Sequence, residues 1–309
     1  MTTPFNLPMA QLTSAHPCFG GVQSFYSFES KETGLPMRFS VFMPPAVQSD
    51  SVMAGKVPLL VYLAGLTSTE ETFAIKAGAQ KYAAQQGLAL LSIDTSPRGA
   101  NVPGEADSWD FGVGAGFYLD ATQAPWSAHW RMQSCLLNEV LPLAVHLLPI
   151  DAQRIGICGH SMGGHGALTL GLKFPEIFKS LSALAPICAP SQCAWGRKAL
   201  TGYLGAAAEH LAGADAASWA AHDAVQLLLQ QASLGKAALF AGGILVDQGM
   251  ADKFLPEGQL HPELLEAACQ QAHQPLNLRR HADYDHGYYF VATFIADHIA
   301  HHAKILLQK

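Results

Sequence analysis

Hydrophobic and polar positions follow one rhythm near the start of the chain and another beyond it. Residues 22–30 (VQSFYSFES) and 36–43 (PMRFSVFM) are rich in aromatic and β-branched side chains, and Lys31-Glu32-Thr33-Gly34 between them is a turn signal. The two runs predict a β-hairpin. Beyond it come unbroken apolar runs at 57–63 (VPLLVYL) and 88–93 (LALLSI), the pattern of strands covered on both faces. Shorter strands are predicted at 154–158 (RIGIC), 181–184, within 237–246, and at 276–280. Helical patterns lie between them at 73–86, 128–148 (disturbed at Pro142), 164–173, 262–272 and 288–307. Strand and helix in alternation predict an α/β chain: a mostly parallel central sheet, an N-terminal antiparallel hairpin at one edge, and helices on both faces.

No repeat or low-complexity linker divides the pattern, so residues 1–309 are expected to form a single domain. The one Ala-rich interruption, at about 187–235, reads as an insertion over the edge of the sheet.

Composition narrows the function. Half of the residues are hydrophobic and 14% are charged, enough apolar material for a large core. The net charge of −6 and the lack of a basic run disfavour nucleic acid as a partner, since phosphate binding needs Lys and Arg. The start of the chain lacks a basic region followed by an apolar stretch, so no secretion signal is read there. The longest apolar window, 237–246, is shorter than the ~20 residues a bilayer span requires. Six scattered cysteines without zinc-site spacing read as reduced thiols of a cytoplasmic protein, and neither metal nor cofactor is expected.

The chemistry is concentrated in Gly159-His160-Ser161-Met162-Gly163-Gly164. This is a G-x-S-x-G pattern after an apolar strand and before an apolar helix, the context of a nucleophile elbow in an α/β-hydrolase fold. A serine on such a turn has strained backbone angles, needs small neighbours, and sits at a helix N-terminus that favours developing negative charge. Ser161 is therefore the candidate nucleophile. The flanking His160 and His165 read as packing.

A serine hydroxyl needs a base to take its proton. In this fold the order is serine, acid, histidine. His286, in Asp283-Tyr284-Asp285-His286-Gly287, follows the last predicted strand and is the candidate base. His281 lies too close to the strand itself and reads as structural. His298, His301 and His302, beside Asp297, read as a solvated helix end. The acid should follow the preceding strand. Asp247 and Asp252 both qualify, and spacing favours Asp252 only slightly. The oxyanion of an acyl transfer needs preplaced donors. Those expected are the amides of Met162, after the nucleophile, and of Leu66, in the Gly65-Leu66-Thr67-Ser68 loop.

Many further segments resemble one family. Gly65-Leu66-Thr67, Asp94 to Gly99 (DTSPRG), Ser108 to Gly112 (SWDFG), Gly114 to Tyr118 (GAGFY), Gly159 to Leu168 (GHSMGGHGAL), Asp247-Gln248-Gly249 and Tyr284-Asp285-His286 are similar to S-formylglutathione hydrolase, the esterase D family. The resemblance extends over nearly the whole chain. It implies a cytosolic serine thioesterase that hydrolyses S-formylglutathione to formate and glutathione in formaldehyde removal, usually as a homodimer. A general small-acyl carboxylesterase or acyltransferase with the same triad is the alternative. The resemblance also assigns the acid to Asp252, with Ser161 and His286 completing the triad and Leu66 and Met162 as oxyanion donors. Trp109, Phe111 and Trp195 are the candidate substrate-binding residues. The Gly-rich aromatic segment around Trp109, Phe111, Phe117 and Tyr118 is expected to border the acyl pocket, and packing beneath a long loop is the alternative for each of these and for Trp195. Arg98 could meet a glutathione carboxylate, although a structural ion pair fits it better. Many members carry Cys after Gly-Leu-Thr. Here the residue is Ser68, so their sensitivity to thiol reagents does not carry over. The stretch 206–217 looks longer than the family's insert.

Overall fold

The computed structural model describes residues 7–45, 56–206 and 212–308. The first residues of the chain and residues 207–211 of the Ala-rich stretch at 206–217 thus lie outside the described residues.

Among the described residues, nine strands form one sheet in the order β1-β2-β3-β5-β4-β6-β7-β8-β9. The predicted hairpin is β2 (Gly21–Glu29) and β3 (Pro36–Met43), paired antiparallel, and β3 runs antiparallel to β5 (Ala89–Ile93). From β5 onward every pairing is parallel, through β4 (Val57–Leu63), β6 (Ile150–His160), β7 (Phe178–Leu184), β8 (Ile244–Gly249) and β9 (Leu276–His281). Every residue of β4 and β5 is buried, which explains their unbroken apolar runs.

The expected pattern lacks one strand, β1 (Ala10–Cys18), which pairs with β2 at the outer edge. Its sequence, AQLTSAHPC, is mostly exposed and has no apolar alternation to betray it. Its register shifts between Leu12 and Ser14, so it also has the irregularity that protects sheet edges from foreign pairing.

Two predicted helices are interrupted. Gly78, in a left-handed conformation at φ 64°, separates α1 (Glu70–Lys76) from α2 (Ala79–Gln86). The long helix holds together through Pro142 by changing its winding. It passes from α3 (Met132–Ser134) through a π segment, Cys135–Val140, into α4 (Leu141–Leu147). Proline has no N–H and crowds the preceding turn, and the wider π winding absorbs that conflict. The strand placed within 237–246 begins only at Ile244. The residues before it turn, pinned by the Gln274 side chain, which accepts from Phe240 N–H at 3.1 Å and donates to Phe240 O at 2.8 Å.

Alternation along the strands shows which helix covers which face. Leu181 and Ile157 face Gly171 of α5 (Met162–Lys173). Gly156 and Ser180 face the opposite way, toward His302 of α10 (Tyr288–Leu306). The insertion contains α6 (Ala194–Leu204), α7 (Gly213–Ala220) and α8 (Ala224–Ser233). Instead of overhanging an edge, α8 packs against α5 and against α9 (Pro262–Gln271). Leu200, Tyr203, Trp219 and Leu228 of the insertion join the same buried core as the sheet, because the Ala-rich helices carry apolar stripes that only that core can cover. No helix among the described residues is long and apolar enough to cross a membrane.

The histidines of α10 correct the reading of a solvated helix end. Buried positions along α10 recur on one stripe, and His298 and His302 lie on it among Ile295, Ile299 and Leu306. His302 bonds Ser180 Oγ at 2.6 Å and Ser182 Oγ at 2.8 Å. His298 bonds Ser182 Oγ at 2.8 Å and Asp247 at 3.1 Å. Asp247 also receives a two-pronged ion pair from Arg279, at 2.6 and 2.5 Å, and a bond with His281 at 3.1 Å. Burial alone would raise the Asp247 carboxyl, but the bonds from His298 and Arg279 outweigh it and hold its pKa below the usual carboxylate range. A polar layer thus runs between the sheet and α10.

Burial keeps several histidines neutral. His302 and His160 are pushed well below the ordinary histidine value, and His165 to about 4. The unfolded chain takes up protons at these sites near pH 6.5, while the folded chain does not until lower pH. Stability from these groups is therefore complete above about pH 6.5 and declines as the pH falls. Urea midpoints measured from pH 7.5 to 5 should drop steadily, and a flat profile would contradict the buried neutral assignment.

Candidate active site

The site sits above the carboxyl ends of β4, β6, β8 and β9, where an open parallel sheet places its ligands. Ser161 lies between β6 and α5 with φ 59° and ψ −122°. A non-glycine residue there costs about 1–3 kcal/mol, so its surroundings must hold it in place. Its N–H donates to Leu184 O at 3.0 Å, and its carbonyl accepts from His165 N–H at 3.0 Å. The glycines of the motif are needed for space. A Cβ on Gly159 would come within 2.0 Å of Gly163 O, and one on Gly163 within 2.0 Å of Leu63 O. One on Gly164 would meet Pro186 at 2.8 Å. The turn is thus wedged between β4 and the segment after β7.

Of the two aspartates, only Asp252 reaches His286. Its Oδ2 lies 2.5 Å from His286 Nδ1, and it is held by Phe254 N–H at 2.9 Å and Gln248 Nε2 at 3.3 Å. Asp247 points below the site into the polar layer already described. The loops after β8 and β9 are stitched together: Ala251 N–H donates to Tyr284 O at 2.9 Å and Met250 N–H to His281 O at 2.8 Å. Gly249 permits this approach, because a Cβ there would lie 2.4 Å from Tyr284 O.

Ser161 and His286 line one cavity of about 280 Å³, with no hydrogen bond between their side chains among the described residues. Such bonds are often long in an unliganded site and tighten once substrate is bound. The cavity is also lined by Gly65, Leu66, Ser68, Trp109, Trp195 and Phe254. In the 65–68 turn the neighbouring amides are committed, Thr67 N–H to Gly114 O at 2.9 Å and Ser68 N–H to Gly65 O at 3.3 Å. Leu66 lies between Gly65 and those two amides. Met162 is the first residue of α5, whose opening amides have no intrahelical acceptor. Gly65 passes close beneath Ser161, since a Cβ there would touch the serine Cβ at 3.0 Å.

Among the candidate substrate residues, Trp109 and Trp195 meet edge to face at 5.4 Å on the cavity wall. Phe111 does not reach it. That ring, half-buried against the core beside α6, stacks on Tyr203 at 4.5 Å and packs against Trp126 at 4.7 Å. Phe117 and Tyr118 are fully buried, and the Tyr118 hydroxyl donates to Ala64 O at 2.8 Å. Arg98 makes the structural pair, with two contacts to Asp94 at 2.8 and 2.9 Å and one to Ser68 O at 3.2 Å. Phe254, Thr72, Lys76, His160 and Tyr288 line the cavity without having been singled out for it. For Phe254 a signal existed, because it lies two residues after Asp252. Its ring packs 4.6 Å from Trp195 and 4.8 Å from His286. The His160 ring is 4.6 Å from that of His286, and burial followed by this neighbour keeps it neutral.

This sheet, these crossovers and this serine turn define a serine hydrolase of the α/β-hydrolase fold. Comparison with known proteins narrows the class. A family model described as "Putative esterase" matches residues 30–301. The S-formylglutathione hydrolase of Mus musculus is 48% identical over 296 residues, 95% of this chain and 97% of its own. That of Arabidopsis thaliana is 48% identical over 290 residues, 93% of this chain and 95% of its own. The solved S-formylglutathione hydrolase of Agrobacterium tumefaciens superposes with a TM-score of 0.85 at 42% identity, covering 96% of this chain and 99% of that one. The chain belongs to the S-formylglutathione hydrolase family of esterases.

The close contacts at the elbow give a direct test. Gly163→Ala should cost about 3 kcal/mol or displace the serine, through overpacking against β4. Urea unfolding together with labelling by a fluorophosphonate probe would detect either effect, and unchanged values in both would refute the contact.

Proposed function

We propose that this protein hydrolyses the thioester S-formylglutathione to formate and glutathione. The observation that carries the reading is the 2.5 Å contact of Asp252 with His286 at the rim of the cavity that Ser161 lines, in a chain of this family.

Ser161 Oγ attacks the formyl carbon while His286 Nε2 accepts its proton, and Asp252 holds Nδ1–H and stabilises the imidazolium. The oxyanion accepts hydrogen bonds from the Leu66 and Met162 amides, each worth about 10²–10³ in turnover. The C–S bond then breaks, and the proton on His286 passes to the departing glutathione sulfur. Water attacks the formyl-serine with His286 again as base. The second tetrahedral intermediate collapses, and its C–O bond to Ser161 breaks. Formate leaves as Ser161 recovers its proton. Aromatic walls at Trp109, Trp195 and Phe254 suit a small acyl group with little water beside it.

The same proposal includes a single domain over residues 1–309, a role in formaldehyde removal, a cytoplasmic location and a homodimeric state. The six free cysteines support the reducing location.

Ser161→Ala should abolish fluorophosphonate labelling and lower turnover by at least ~10⁴-fold, and Asp252→Asn should lower it by ~10³–10⁴-fold. Labelling that survives in the Ser161 variant would identify another nucleophile. For the substrate, kcat/KM on S-formylglutathione should exceed that on p-nitrophenyl acetate by at least tenfold. Equal values would favour a general carboxylesterase.

A further inference from the structure

We infer that Lys76 is a specificity-determining residue whose ammonium receives a carboxylate of the glutathione portion of the substrate. This rests on the thioesterase reading above.

The cavity has an uneven charge. Among its described lining residues, Lys76 is the only lysine or arginine, and no aspartate or glutamate lines it. Lys76 lies in the last turn of α1, where a cation is favoured by the helix dipole. Its Nζ is 5.8 Å from the centroid of the Tyr288 ring, which also lines the cavity. The aromatic face supports the ammonium, and no ion pair with a carboxylate engages it among the described residues. Of the other cations nearby, Lys253 lies over the Phe254 ring, 5.0 Å from its centroid, and does not line the cavity, while two more are committed to carboxylates. Lys198 is paired with Asp110 and bonds Ser108 Oγ at 2.6 Å, and Arg98 is locked to Asp94.

The substrate chemistry matches. Glutathione ends in carboxylates on both its glycine and its γ-linked glutamate, while the reacting thioester lies in the middle. When the formyl carbon is at Ser161, a peptide arm must leave through the mouth of the cavity, and the chain as a whole repels it with a net charge of −6. A cation in the cavity wall offsets that repulsion and selects an anionic thiol portion over a neutral leaving group. The long flexible stem lets one ammonium serve without a preformed fork.

The test measures a ratio between substrates. The kcat/KM on S-formylglutathione, divided by that on p-nitrophenyl acetate, should fall roughly three- to fivefold in Lys76→Ala, the range of an exposed ion pair. Lys76→Glu should lower it about tenfold, because repulsion is added, and Lys76→Arg should restore it. The loss should appear in KM for the thioester. Added salt should raise that KM in the wild type and much less in Lys76→Ala. A ratio unchanged in both Lys76→Ala and Lys76→Glu, or an equal loss on both substrates, would overturn the inference. If the wild type itself does not prefer the thioester, the functional reading fails first and takes this inference with it. A wild type that prefers the thioester, with an unmoved ratio in the variants, sinks the Lys76 assignment alone.

Discussion

A serine backbone held at φ 59° is the constraint around which the site is arranged. The conformation is unfavourable on its own, so packing must enforce it. Enforcement comes from three sides: Leu63 O at the end of β4, Pro186 after β7, and the Gly159–Gly163 contact within the turn. Each is closer than any side chain would allow. The glycines are therefore a consequence of pressing a helix start onto two neighbouring strands. The same contact that strains the serine brings it above Gly65, and so beside the loop that contains Leu66.

A second arrangement concerns the two loops that bring an acid to a histidine. Asp252 and His286 lie far apart along the chain and follow adjacent strands. Gly249 lets these loops touch, and two amide bonds join them. Beneath them, Asp247 ties β8, β9 and α10 together through Arg279, His281 and His298. The two aspartates divide the labour by position. One is at the strand's end and faces the polar layer, and the other is farther along and faces the imidazole. Removing water from such a network is costly unless its groups are paired, and here the serines of β7 supply partners for His298 and His302 of α10.

Legibility in the sequence followed the physical cause of each element. The fully buried strands were plain, since a strand covered on both faces has to be apolar throughout. Edge strand β1 was invisible because exposure removes that requirement. The break at Gly78 and the π segment before Pro142 concern backbone winding, which a hydrophobic pattern does not report. His298 and His302 were misread because imidazoles near a chain end look solvated until their stripe is placed against a sheet bearing Ser180 and Ser182. Phe111 packs on Tyr203 and Trp126 away from the cavity lining, and an aromatic beside a glycine has the same local pattern whether it walls a cavity or packs against a core.

The order of residues by itself determined that a strand leads through Gly159 into a serine and then a helix, and that a histidine follows the last strand. Those are local facts, set by backbone sterics and by the period of burial. Apart from the family resemblance, the residues left two aspartates open; that Asp252 meets the histidine, which aromatic faces the cavity, and where Lys76 projects were decided by tertiary structure. Each depends on how far one loop or helix stands from another, a distance fixed by close contacts between segments remote along the chain.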